Sequence, residues 1–343
     1  MLATKAYLNT GTFGPVPSRS VEAMDALVRL GLRQGRSGPA WFDATTAARA
    51  AQREAYARAL GVPPAEVALT TSTSEGVVRV LAGLDWRAGD EVVTADDEHP
   101  GLLGPLLTLR ERRGIEVRAV PLAQVGEAVG PRTRLVACSH VSWVSGAVAP
   151  DLRDVPCPVL LDGAQGLGAV PIDLAALGCD FYAAAGQKWL CGPGGTGVLW
   201  VRPGAELTPL GLTYANLEAP GEGLGARPWP DARAHDLPAY DPVLATGAAA
   251  ALEVLEADPG RIDRGVAGAA RLAELLRERG RVVAPRGATT LVSWEDPDPE
   301  ARVAALAQRG VVVRALPGTP YVRASVGGWT SDEDLARLLD GLD

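Results

Sequence analysis

The sequence predicts an α/β protein, a mostly parallel sheet flanked by helices with a smaller C-terminal α+β domain. Short apolar runs alternate with helical or irregular crossovers from Val67 to Val201, the pattern of strands feeding a largely parallel sheet. From Arg261 to Asp343 the pattern changes to helix, strand, helix, strand, strand, helix. A chain of 343 residues also exceeds what one core usually serves, so two units are expected. We place a loop segment at 1–17, a large domain at 18–256 and a small domain at 257–343.

Taken in order, Tyr7 to Pro17 is rich in Gly and Pro and reads as a loop entering the fold. Apolar residues at helical spacing give a helix from Ser18 to Leu32, and Ala44 to Leu60 gives a second, with RQGRSGPAW as a break between them. Strands follow at Val67 to Thr70, Glu91 to Ala95, Ile115 to Pro121 and Arg134 to Val141. Three more lie at Val159 to Asp162, Phe181 to Ala185 and Val198 to Val201. A helix over Leu102 to Arg113 sits among them. Pro203 to Pro242 has no clear periodicity and reads as a long loop, ordered or mobile, near the ligand. Pro242 to Glu256 is an Ala-rich helix opening with Pro, and Ser331 with Asp334 forms a capping box for the last helix.

Composition narrows the function classes. Hydrophobic residues at 47% exclude a disordered chain, and a net charge of −8 argues against nucleic acid or an anionic membrane as partner. No apolar run has the length of a membrane span or the form of a signal peptide, so a cytosolic location is expected. Cys138, Cys157, Cys179 and Cys191 lack CxxC spacing and read as buried or bystander thiols. The three histidines are too far apart for a local metal motif, and no metal is expected.

The chemistry concentrates between Val159 and Gly197. Asp162 ends one apolar run, and Lys188 follows the next, 26 residues further on. A Lys that forms an imine with an aldehyde, and a carboxylate that keeps a pyridine nitrogen protonated, are the two poles of a pyridoxal phosphate site. Strand ends bring such residues together, because ligands in open α/β sheets sit at the carboxyl ends of strands. Gln165 is placed to meet the ring oxygen and His99 to stack on the ring. The turn TSTSEG opens a helix, where Thr73 and Ser74 suit a phosphate, although Ser and Thr are also ordinary caps. Gly192, Gly194 and Gly197 match G-x-G-x-x-G, but they precede a strand instead of opening a helix, which excludes a dinucleotide site.

With these residues in view, the sequence resembles the class V aminotransferase family of fold-type I pyridoxal phosphate enzymes, which includes cysteine desulfurases and isopenicillin N epimerase-like proteins. The resemblance rests on TTSTSEGV, DDEHPG, SHVSWVSGAV, LLDGAQ, GQKWLCGPGGTGVLWV and YVRASVG, in that order. It implies that Lys188 is the Schiff-base lysine, Asp162 the pyridinium partner, Gln165 the ring-oxygen contact and His99 the stacking group. It also implies that Thr73, Ser74 and Gln187 bind phosphate and that Arg323 binds the substrate carboxylate. Trp143 stands where desulfurases carry Asn and would wall the cofactor, while Thr12 and Phe13 in TGTFG, with the loop from Pro203 to Pro242, would meet the substrate.

Departures from the family refine the expectation. No Cys follows Cys191, and the stretch before Arg323 is RALPGTP, so persulfide formation as in cysteine desulfurases is not expected. Ala185 and Gln187 replace a Ser and a His, and His235 to Pro242 lacks a Gly-Thr pair that reaches a neighbouring subunit's phosphate in relatives. The expected activity is Cα proton chemistry on an amino acid, through a carbanion stabilised by the ring. Transamination is the family default, with a carbon-sulfur β-lyase or an epimerase as alternatives. A non-catalytic cofactor-binding regulator is the alternative of another class, and a homodimer is the expected assembly.

Overall fold

The computed structural model describes residues 5–342. Strand β1 (Ala6–Tyr7) enters the fold, followed by helices α1 (Ser18–Gln34) and α2 (Pro39–Leu60). The strands β2 (Val67–Thr70), β3 (Glu91–Ala95), β4 (Glu116–Val120), β5 (Thr133–Ser139), β6 (Val159–Asp162), β7 (Phe181–Ala185) and β8 (Gly197–Val201) form one seven-stranded sheet in the order β2-β8-β7-β6-β5-β3-β4. Only β8 runs against its neighbours. The carboxyl ends of β2, β3, β5, β6 and β7 therefore share one edge with the start of β8. This edge collects the turns that carry the predicted site.

Both faces of the sheet are covered, and its strands are nearly continuously apolar, as parallel sheets require. Leu69, Val93, Val136, Leu161 and Tyr182 point to one face, under Tyr56 and Leu60 of α2 and Leu252 of α6 (Pro242–Glu256). Ala68, Val92, Leu135, Leu160 and Phe181 point to the other. There they meet Val77 and Val80 of α3 (Thr73–Gly83) and Leu102 and Leu106 of α4 (Pro100–Arg113). The short α5 (Leu174–Leu177) connects β6 to β7.

A second apolar cluster lies beyond α6. It joins α7 (Arg261–Glu278), α8 (Pro299–Gln308) and α9 (Asp332–Asp340) to the three-stranded antiparallel sheet of β9 (Leu291–Glu295), β11 (Arg314–Ala315) and β12 (Tyr321–Ser325). Strand β10 (Val311–Val312), whose Val311 belongs to the same cluster, pairs in parallel with β1, so the N-terminal segment is strapped to the C-terminal unit.

Several boundaries differ from the sequence reading. The break RQGRSGPAW ends early, because Pro39 occupies the first turn of α2, where its missing N–H costs nothing. Helix α4 likewise begins at Pro100, with His99 as its cap. The segment 203–242 is ordered by three 3₁₀ turns, Tyr214–Asn216, Pro220–Gly225 and Ala232–His235. It is fastened to α2 and β2 through the fully buried Asp236, which accepts from Arg49, from Arg53 at 2.6 Å and from the Leu69 backbone N–H at 2.8 Å. Among the described residues its hydrogen bonds run to α2, α3 and β2. The capping box of Ser331 and Asp334 is present, and Gly197 opens β8 instead of a helix.

Candidate active site

Asp162 is the last residue of β6, paired to Ser139 of β5 on one side and Ala183 of β7 on the other. Its carboxylate accepts from the Ala164 N–H at 2.9 Å and is otherwise enclosed. Burial raises its pKa, opposed by the charge of Lys188 and by that hydrogen bond. Lys188 lies three residues past β7. Its chain is partly accessible while its amine is shielded, and burial lowers it to about 8 against the favourable charge of Asp162, with Arg323 and Arg314 pushing in the same direction as burial. The two groups feel each other's charge without forming an ion pair.

His99 caps α4 by accepting the Gly101 N–H on Nδ1 at 2.9 Å. Its ring meets Trp143 edge-on, with centroids 5.0 Å apart, and Trp143 is fixed by an Nε1 bond to the Asp97 carbonyl at 2.8 Å. Burial, aided by Lys188, Arg314 and Arg323, lowers His99 to about 4, so it presents a neutral ring at neutral pH. Thr73 and Ser74 are the first two residues of α3, whose cap is Ser72. The Thr73 hydroxyl is buried without a partner, at a helix end where an anion is favoured.

Two further groups carry unused hydrogen-bonding capacity. Arg323 of β12 is fully buried and spends Nη1 on the Trp143 carbonyl at 2.7 Å, but its Nε and Nη2 have no partner. That free edge is the two-pronged donor face that matches a carboxylate. Burial, with Arg314 beside it, lowers Arg323 to about 9. The Gln187 Oε1 is buried without a partner, and the same amide turned over presents its NH2 instead. Orphaned buried polar atoms are costly, and here they cluster where a phosphate and a carboxylate would satisfy them. The residues therefore fit pyridoxal phosphate.

Gln165 also makes contacts of its own within the chain. Its Nε2 donates to the Gly11 carbonyl at 2.8 Å and its Oε1 accepts from Trp189 Nε1 at 2.9 Å, so the amide reaches the N-terminal segment. That segment brings Thr12 and the exposed Phe13 to the site, and the Thr12 hydroxyl accepts from Arg314 Nη1 at 3.0 Å.

Sequence reasoning missed two residues. Arg314 lies 6.0 Å from the Trp143 ring and acts on the charge of Lys188, His99 and Arg323. Its signal was the RALPGTP stretch, read only for its lack of Cys. Glu98 is buried against the Ser139 N–H at 2.6 Å and the Ser139 hydroxyl. Burial raises Glu98 to about 8, with Asp162 and Asp97 adding to the rise, so its carboxyl holds a proton at neutral pH. Among the described residues no group of three His, Cys, Asp or Glu side chains is placed to hold a metal ion, and no helix is long and apolar enough to cross a membrane.

Known proteins resemble this chain in sequence and fold. The chain is 29% identical to isopenicillin N epimerase of Streptomyces clavuligerus over 99% of its own length and 94% of the relative's. A probable cysteine desulfurase of Pseudomonas aeruginosa is 42% identical over 158 residues, 41% of this chain and 39% of that protein. Among solved structures, a cystine C-S lyase in complex with its reaction product cysteine persulfide superposes with a TM-score of 0.92 at 28% identity over 99% of this chain and 98% of that one. The family model for class-V aminotransferases matches residues 7–218, and the chain belongs to that family of pyridoxal phosphate-dependent enzymes.

Proposed function

We propose that the protein is a pyridoxal phosphate enzyme that moves the Cα proton of an amino acid, with Lys188 as the lysine bound to the cofactor. The observation that carries this is the convergence of a shielded amine at Lys188, a carboxylate at Asp162 and the free donor edge of Arg323. When bound, pyridoxal phosphate withdraws electrons from the substrate Cα. Asp162 would be the residue to meet the pyridine nitrogen and keep it protonated. His99 offers an uncharged ring face, and Thr73, Ser74, Gln187 and the start of α3 hold the phosphate.

Arg323 takes the substrate carboxylate on Nε and Nη2. Lys188 is lowered to about 8, so a fraction of its amine is neutral near neutral pH and able to accept the Cα proton. Arg314 adds a second cation beside the Arg323 fork and Thr12, which favours an anionic substrate. Trp143 and His99 restrict water on that side.

Transamination is the reaction we place first, as expected for the family. A carbon-sulfur β-lyase is the second reading, supported by the superposition on a cystine C-S lyase over nearly the whole of both chains. We further propose that no persulfide forms on the protein. Burial pushes Cys157 up to about 11 and Cys179 and Cys191 to about 12, and raises Cys138 well above its usual value. No thiol lies in the turn before Arg323.

The purified protein should be yellow, and Lys188→Ala should lose that colour with a fall in turnover of about 10²- to 10⁴-fold. A colourless wild type that added cofactor does not restore would refute the assignment. A panel of amino acids, scored for keto acid, inverted stereocentre and released sulfide with pyruvate, separates the reactions. Turnover only with an amino-group acceptor would eliminate the lyase.

A further inference from the structure

We infer that Gln165 is a positioning residue that holds the N-terminal segment over the site, relayed by the indole of Trp189. Gln165 is buried, and its amide is engaged at both ends, by the Gly11 carbonyl at 2.8 Å and by Trp189 Nε1 at 2.9 Å. Trp189 is packed among Val141, Ala169, Val170 and Leu291, so its N–H is aimed and cannot swing away. Gly11 lies so close that a Cβ there would sit 2.8 Å from Gln165 Oε1 and 3.0 Å from Arg323 Nη2. The segment passes directly over the free edge of Arg323.

The rest of the segment is tied in the same manner. The Gly14 N–H donates to the Gln187 carbonyl at 2.7 Å, and the Thr12 and Phe13 N–H groups donate to the Asn9 carbonyl at 3.0 and 3.3 Å. A Cβ at Gly14 would lie 2.0 Å from the Lys188 carbonyl oxygen, which leaves no room for a side chain. Thr12 is in turn held by Arg314 of β11. Residues 9–14 thus bridge the loop after β6, the loop after β7 and the small sheet. The Gln165 link sets where Thr12 and Phe13 stand relative to the Arg323 fork, and with them the space left for a substrate side chain.

Two substitutions separate this role from a contact to the cofactor ring. Trp189→Phe keeps the aromatic packing and removes only the N–H. Gln165→Glu keeps an acceptor for Trp189, but loses the donor to Gly11. In the cofactor-free protein, amide hydrogen exchange within residues 9–14 should quicken about five- to tenfold in both variants, the effect of one lost hydrogen bond. In the holoenzyme, Trp189→Phe should raise the amino-acid KM by a similar factor with kcat and the visible absorption maximum unchanged.

The KM arm rests on the proposed function, whereas the exchange arm stands without it, so failure of that reading leaves the inference decidable. Unchanged exchange in Trp189→Phe would overturn the inference, including when Gln165→Glu does not fold. A shifted absorption maximum in Gln165→Glu with unchanged exchange would assign the amide to the ring instead.

Discussion

At the scale of the residue, the site is organised by what its side chains leave unsatisfied. Arg323 is buried with its Nε and Nη2 unpaired, and a Lys in its place offers a point charge without the planar fork. Arg323→Lys should raise the amino-acid KM about 10- to 100-fold, as steady-state kinetics would show. Lys188 makes a pH prediction with a definite sign. Its amine is lowered to about 8, so the neutral form that attacks an aldehyde falls about tenfold per unit below that value. Uptake of pyridoxal phosphate by the cofactor-free protein, followed by visible absorbance, should therefore speed up as pH rises towards 8 and level off above it. Equal rates at pH 6 and pH 8 would contradict a shielded Lys188. Asp162 and Lys188 were legible in the sequence because each ends or follows an apolar run. Lys also occurs in this chain only at positions 5 and 188, a second signal pointing to the same residue. Arg314 and Glu98 were not legible, since the first is one Arg among many and the second acquires its character only through burial beside Asp162.

At the scale of the element, strand ends and helix starts were readable wherever apolar runs met Gly, Pro or a cap. The order of the segment 203–242 was not, because its stability comes from a distant partner and not from its own periodicity. Asp236 is fully buried and is shared by Arg49, Arg53 and the Leu69 N–H, so removing it leaves a buried guanidinium and a strand amide unpaired. Asp236→Ala should destabilise the protein by about 3 to 5 kcal/mol in chemical denaturation. Because Leu69 immediately precedes Thr70 and the turn that carries Thr73, the same variant should also weaken cofactor retention. A loss below about 1 kcal/mol would show that this ion cluster contributes little.

At the scale of the whole molecule, the α/β class was legible because the sheet is buried on both faces and its strands are apolar throughout. The strapping of β1 to β10 was not, as two residues carry too little pattern to announce a strand. Exposed Val21, Val28 and Leu32 lie along α1, with Phe42 exposed near the start of α2, an apolar surface that suits a second copy of the chain. Sedimentation should give twice the chain mass, and a monomer at micromolar concentration would reject the homodimer. The strap has a further consequence, for the order in which the protein is made. Ala6 and Tyr7 are made long before their partners Val311 and Val312, which lie far downstream in the chain. Closing so long a loop is slow and entropically costly, and domains fold largely in the order of synthesis. The large sheet, with Asp162 and Lys188 in register, can therefore form before Val311 and Val312 are available to pair with β1, which leaves a window for cofactor to enter before residues 9–14 settle.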